Sequence, residues 1–172
     1  DCFGTVISDK AQDTDAQLKA IVSRSNILMI SMDTIGMWQE VGFLADVFAC
    51  FKKYGLSIDL ISTSQSNVTV TLDVAATLVH DETLEQLFAD LRSFCFPEKK
   101  GPCSAISLVG NKIRSQFHHL TGALEKFFDK PVYMISQSAS DLNCTFLVDA
   151  TDAGQILSDL HRQFFQNSQD SS

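Results

Sequence analysis

The apolar residues of the chain follow two alternating periods, one typical of helices and one typical of strands. Between positions 43 and 51 they recur about one turn apart, which places them along one side of a helix. Gly55 stands where a left-handed residue commonly ends a helix. From Ile58 to Leu72 apolar and polar residues alternate, which predicts two half-buried antiparallel strands joined by the turn "TSQSN". The helical stripe consists of Phe43, Leu44, Val47, Phe48 and Phe51.

The same series of elements occurs twice. "NILMISMDTIGMWQEVGFLADVFACFKKYGLSIDLISTSQSNVTVTLD" and "SAISLVGNKIRSQFHHLTGALEKFFDKPVYMISQSASDLNCTFLVD" both predict strand, glycine-containing loop, helix, strand, turn and strand, at an offset of roughly 75 residues. A second helix follows each copy. The unit is therefore β-α-β-β-α-β. The other helical stripes are Leu84, Leu87, Phe88 and Leu91; Leu120, Ala123, Leu124, Phe127 and Phe128; and Ile156, Leu157, Leu160 and Phe164.

Two such units predict the α+β class, with two ferredoxin-like sheets that each carry helices on one face. The strand "LKAIVSR", Leu18 to Arg24, precedes the first copy, whereas no strand follows the last helix of the second copy. We therefore expect this early strand to complete the sheet of the second unit. The first unit, 25–103, would then be nested within the second, which consists of 17–24 and 104–165.

The composition of the chain limits the classes of partner that it can bind. The formal net charge of the 172 residues is −8, which repels phosphate backbones and anionic lipid, so we expect no nucleic-acid and no membrane partner. No apolar run approaches the roughly 20 residues of a membrane span, and the first residues lack the pattern of a signal peptide. The five cysteines show no zinc-site spacing. A soluble cytoplasmic protein with reduced thiols is the simplest interpretation.

Motifs of catalysis or metal binding are weak. "GNKIRS" lacks the spacing of a phosphate-binding P-loop. His118 and His119 are adjacent, so on a helix they point roughly 100° apart and do not share a metal. Arg114 and Asn111 leave open a phosphatase of the acylphosphatase type, although this pattern is common by chance. An RNA-binding use of the topology would want aromatic residues on the strands, and "SIDLIS" and "NVTVTLD" carry none. We predict no catalytic residue and no metal ligand.

A small-molecule site is the stronger hypothesis. The helix that starts at Gly42, Phe43 and Leu44 offers unpaired backbone N–H groups, which suit a carboxylate. Asp59 and Glu40 could face an ammonium group, and together these features fit a zwitterion. From spacing alone, a solubilising charge at a strand edge is the preferred interpretation of Asp59, and a turn is the preferred interpretation of the serine run. The neutral hydrogen-bonding candidates are Ser57, Ser64 and Gln65.

The motifs "GFLADVF" and "SIDLISTS", with "SAISLVG" and the final "LHRQFF", resemble the paired ACT domains at the C-terminal end of aspartate kinases. The likeness is greatest to the lysine-sensitive type, in particular the bacterial form fused to diaminopimelate decarboxylase. It extends from "GTVI" near the start of the chain to "LHRQFF". It implies that residues 1–16 are a linker from a kinase domain and that 166–172 are a tail.

The resemblance also implies a function. In that family end-product lysine binds between the first ACT domains of two chains and inhibits the kinase, so a homodimer is implied, with assembly into tetramers left open. Gln65 and Glu40 depart from the family pattern, which leaves open another amino acid such as threonine, or a dimerisation module without ligand. The fragment itself would have no turnover and no cofactor, whereas ATP and magnesium would serve the parent kinase domain. The implied lysine-binding residues are Met37, Glu40, Phe43, Leu44, Ser57, Ile58, Asp59, Ser64 and Gln65.

Overall fold

A computed structural model describes residues 17–34, 41–74, 79–113, 125–127 and 129–166. Its strands form one antiparallel sheet with the order β2-β3-β1-β4-β6-β5. The strands are β1 (Gln17–Asp33), β2 (Ile61–Thr63), β3 (Asn67–Asp73), β4 (Phe96–Asn111), β5 (Val132–Gln137) and β6 (Asn143–Asp149). The helices are α1 (Phe43–Lys53), α2 (Asp81–Leu91) and α3 (Ala150–His161), with a short 3-10 helix at Glu125–Phe127 and a π-helical turn at Arg162–Gln166.

The two long central strands join the two halves of the sheet. The early part of β1, up to Arg24, pairs with 105–111 of β4, and the later part, from Ile27, pairs with 96–103 of β4 and with β3. The early strand thus completes the sheet of the second repeat, as the sequence predicts, and the first repeat is nested within the second. The structure differs in one respect, because the early strand continues directly into the next one as a single long strand.

An approximate two-fold axis passes between Ile27 and Cys103. These residues pair with each other, Ile27 also pairs with Asp73, and Cys103 also pairs with Asp149. Equivalent residues in β1 and β4, and in β3 and β6, are 76 positions apart (27 to 103, 73 to 149). Each half therefore has the ferredoxin-like strand order.

Three apolar clusters hold the fold together. The first lies between the first half of the sheet and α1 and α2, and includes Phe51 and Leu87; the second lies under α3 and includes Ile106 and Ile156. The third occupies the opposite face of the sheet, where strands β2 and β5 of the two halves approach each other. Alternation along the strands supplies the two faces, since neighbouring residues point to opposite sides. The third cluster contains Ile27, Cys103, Ala105, Met134 and Leu147, flanked by Met29, Leu60 and Tyr133.

The second-repeat helix is only partly described. Phe127 is buried and its ring stacks on that of Phe146, with centroids 5.1 Å apart, so this position of the predicted stripe is in the core. The other four predicted positions lie outside the described residues.

Gly55 follows helix α1 and has a left-handed φ of 67°. A β-carbon there would meet nothing within 4 Å, so only backbone strain opposes a side chain. We expect Gly55→Ala to lower the free energy of unfolding by about 1–2 kcal/mol, measured by urea denaturation. Gly154→Ala is the matched control, because Gly154 lies inside α3 with equal space and should stabilise the fold by about 0.5–1 kcal/mol. A Gly55→Ala variant as stable as the unchanged chain would contradict the strain argument.

Candidate functional site

The segment before strand β2 presents Asp59 at the edge of the first half. The Asp59 amide donates a hydrogen bond to the Thr71 carbonyl (2.9 Å), and the Leu60 amide donates to the buried Thr71 hydroxyl (3.0 Å). Ile58 packs on the first cluster, but Leu60 packs on the third, on the other face of the sheet. The prediction of a regular strand through Ile58 and Leu60 is therefore wrong, because the chain twists here and β2 begins only at Ile61.

Arg24 is the ionic partner of Asp59. Its guanidinium forms an ion pair and hydrogen bond with the Asp59 carboxylate, and it also lies 3.6 Å from a carboxylate oxygen of Asp73. The side chains of Arg24 and Asp59 are 49% and 30% exposed, so water screens the pair and its contribution to stability is about 0–1 kcal/mol. Because the ion pair is weak, another cation can displace Arg24 from the Asp59 carboxylate at small cost.

The start of helix α1 is where the sequence predicts an anion site, and like the start of α2 it has no side-chain cap among the described residues. Gly42 precedes the helix with a left-handed φ of 94°, and among the described residues no side chain caps the first N–H groups. In contrast, the Asp149 carboxylate caps α3 by accepting from the Thr151 amide (3.1 Å). The first turn of α1 can therefore offer its backbone N–H groups to a carboxylate.

The side chains at this helix start have different environments. Phe43 is 3% exposed, and its ring meets that of Phe94 edge-on at 5.9 Å, so its side chain belongs to the core. Leu44 is 39% exposed. Phe43 can therefore reach a ligand through its backbone alone, whereas Leu44 can also offer an apolar side chain.

Ser64 and Gln65 lie on the exposed turn after strand β2, whereas Ser57 lies in the segment before that strand. The Ser64 hydroxyl accepts hydrogen bonds from the amides of Asn67 (3.1 Å) and Ser66 (3.4 Å), so its side chain stabilises the turn. Ser57 and Gln65 are exposed and Ile58 is half-buried. Met37 and Glu40 lie outside the described residues.

Among the residues that the structure describes, no three His, Cys, Asp or Glu side chains come together as a metal site requires. Cys50, Cys95, Cys103 and Cys144 are free thiols. Burial raises the pKa of Cys95 to about 11, so this thiol stays protonated near neutral pH. None of the helices in the described ranges has both the length and the apolar character that crossing a bilayer requires.

Sequence reasoning missed Arg24 and Asp73 as part of this site. Arg24 lies in the middle of β1 and Asp73 is the last residue of β3, and the pairing of these strands brings both to Asp59. The available signal was the repeat, because a cation recurs at 24 and 100 and an aspartate at 73 and 149.

The nested ferredoxin-like halves are a pair of ACT regulatory domains. The chain is 34% identical over 173 residues to the chloroplastic aspartokinase 3 of Arabidopsis thaliana, which covers 95% of the chain and 30% of that protein. It is 30% identical over 168 residues to the lysine-sensitive aspartokinase 3 of Escherichia coli, covering 95% of the chain and 36% of that protein. The chain is a homologue of aspartokinases and corresponds to their C-terminal regulatory region.

Solved aspartokinase structures have the same fold as this chain. E. coli aspartokinase III in complex with lysine and aspartate, in its T-state, superposes with a TM-score of 0.78 at 29% identity, over 92% of this chain and 35% of that one. The regulatory subunit of aspartate kinase from Thermus flavus shares the fold, with a TM-score of 0.68 at 18% identity, over 86% of this chain and 99% of that one. No family model matches the chain. The chain spans about a third of the length of the two aspartokinases that it matches in sequence.

Proposed function

We propose that this chain binds L-lysine in its first ACT domain and thereby feedback-inhibits an attached aspartate kinase. The observation that carries the proposal is the similarity over nearly the whole chain to an aspartokinase solved with lysine and aspartate. The uncapped start of α1 and the exposed Asp59 carboxylate support it, because they offer partners for the two charged ends of an amino acid. ATP and magnesium would act in the kinase domain of the parent protein. The parent protein would also carry a fused diaminopimelate decarboxylase.

The proposed site lies between the first ACT domains of two chains, which would pair as a cytoplasmic homodimer. Strand β2 is at an end of the sheet, so among the described residues one of its edges has no hydrogen-bonded strand, although β5 approaches it. Ile61 on this strand and Leu44 on α1 are 47% and 39% exposed, which gives the edge apolar surface for a second copy. A ligand that prefers one arrangement of the dimer would shift the kinase by its difference in affinity, about 1–3 kcal/mol, or roughly 5- to 150-fold.

The proposed domain limits remain 25–103 for the first ACT domain and 17–24 with 104–165 for the second. The continuous strands β1 and β4 connect the two domains, so movement in one is transmitted to the other through paired backbone. All the proposed ligand contacts fall within 25–103.

Isothermal titration with L-lysine, L-threonine and L-aspartate, accompanied by sedimentation, tests the proposal. We expect saturable binding of lysine alone, near one ligand per chain, in a dimer. Preferential binding of threonine would mean that threonine, and not lysine, is the ligand. A stable dimer that releases no heat with any of the three amino acids would favour a dimerisation module without ligand.

A further inference from the structure

The Arg24 ion pair has a counterpart across the approximate two-fold axis. Arg24 lies three residues before Ile27, and Lys100 lies three residues before Cys103, the two residues that pair beside this axis. Arg24 approaches Asp59 and Asp73. The Lys100 ammonium lies over the Tyr133 ring, 4.1 Å from its centroid. Lys100 thus contacts β5 of the second half, as Arg24 contacts the segment before β2 in the first half.

The strand registers place Tyr133 near the position that corresponds to Asp59, at a shift in register between Val132 and Met134. Ile61 pairs with Val70, and Ile135 pairs with Phe146, which stands 76 positions after Val70. Two residues before Ile61 is Asp59, and two residues before Ile135 is Tyr133. The structure thus repeats a cation and a strand-end aspartate in both halves, but the carboxylate between them exists only in the first half.

The two cations consequently meet different partners. Lys100 faces an aromatic ring, and a hydrogen bond with Tyr133 raises the pKa of Lys100. Asp149, the counterpart of Asp73, accepts from the Thr151 amide and hydroxyl (3.1 and 2.8 Å), so it is already engaged in capping α3. Among the described residues, the carboxylate at this place in the second half is that of Asp149, which is already held by Thr151 and by a hydrogen bond with Tyr133.

We propose that Arg24 is a specificity-determining residue that competes with the ligand's ammonium group for Asp59, and that this exchange confines cation binding to the first ACT domain. The inference rests on the proposed function. The ion pair is largely exposed, so a ligand cation can replace the guanidinium at small cost.

Asp73 makes the exchange feasible. Its carboxylate is already 3.6 Å from the Arg24 guanidinium and only 17% exposed, so Arg24 keeps an anionic partner after it releases Asp59. The two carboxylates of Asp59 and Asp73 around one guanidinium favour a cation over an anion at this place. Because Arg24 lies on the part of β1 that pairs with the second repeat, the exchange also connects ligand binding to that half.

The test is calorimetric titration of L-lysine into the unchanged chain and into Arg24→Gln, Asp73→Asn and Lys100→Gln. We expect Arg24→Gln to bind lysine about two- to five-fold more tightly, because the competitor for Asp59 is removed. Asp73→Asn should bind about two-fold more weakly, because Arg24 then depends on Asp59 alone. Lys100→Gln is the matched control in the second half and should leave the affinity unchanged. The gain in Arg24→Gln should shrink at high salt, which screens the exposed pair.

Arg24→Lys guards against a folding artefact, since it retains the competing charge and should bind lysine as the unchanged chain does. If the unchanged chain binds lysine and Arg24→Gln binds it equally or more weakly, the Arg24 inference is wrong and the proposed function stands. An equal gain in Lys100→Gln would also overturn it, because the effect would then be one of overall charge. If neither the unchanged chain nor any variant binds lysine, both the proposed function and this inference fail.

Discussion

Replacing Asp59 by asparagine is expected to weaken L-lysine binding by about 10- to 100-fold. A hydrogen bond to a charged group contributes about 1.5–3 kcal/mol, and asparagine keeps the size of the side chain while it removes the charge. The backbone bond from the Asp59 amide to Thr71 does not involve the side chain, so the local fold should persist. Titration calorimetry gives the affinity, and sedimentation shows whether the dimer is retained.

Asp90→Asn is a matched control for this prediction. The Asp90 carboxylate pairs with the Lys53 ammonium at 2.6 Å and is 34% exposed, close to the 30% of Asp59, but it lies on the helical side of the first half. The same change of charge there should leave lysine affinity unchanged. Equal weakening in both variants, or unchanged affinity in Asp59→Asn, would remove Asp59 from the site.

Truncation of Leu147 to alanine is expected to lower the free energy of unfolding by about 2–5 kcal/mol. Leu147 is 0% exposed and lies in the third cluster, on the sheet face opposite the helices, where strands of the two halves meet. A cavity there would be lined by residues of two rigid paired strands that cannot collapse into it. Urea unfolding at one fixed protein concentration measures the loss, since a dimer makes stability concentration-dependent.

Leu142→Ala is the control for Leu147, because it removes the same atoms from a side chain that is 51% exposed. We expect its effect to stay within about 0.5 kcal/mol. A loss below 1 kcal/mol in Leu147→Ala would mean that the third cluster is loosely packed and does not hold the two halves together.

The local pattern was sufficient to predict the repeat and the nesting. Apolar residues at helical spacing predicted the buried faces of α1, α2 and α3, but Leu44 was wrongly included, since it is 39% exposed. The second half lacked a fourth strand, so the strand at Leu18 to Arg24 could be assigned to it. Two features could not be read from period alone. One is the third cluster, which requires apolar residues on both faces of the sheet. The other is the twist between Ile58 and Leu60, because tertiary contacts with two different clusters override the alternation.

The site was predictable only in part. Asp59 and the helix start were selected because a carboxylate and free N–H groups have evident chemistry, and the structure places them as a strand-edge carboxylate and an uncapped helix start. Arg24 was missed because its distance in sequence from Asp59 hides a contact that depends on the register of β1 with β3 and β4. Ser64 shows the opposite limit, since a hydroxyl that suits a ligand by type is engaged in its own turn.

The most direct test of a lysine site in the first ACT domain is to map backbone amide shifts by NMR during titration with L-lysine. Lysine binding in the first ACT domain should give saturable shifts concentrated at Phe43, Leu44 and the segment around Asp59, with the corresponding position at Tyr133 unaffected. Shifts concentrated around Tyr133 and strand β5, or none at saturating lysine, would contradict it.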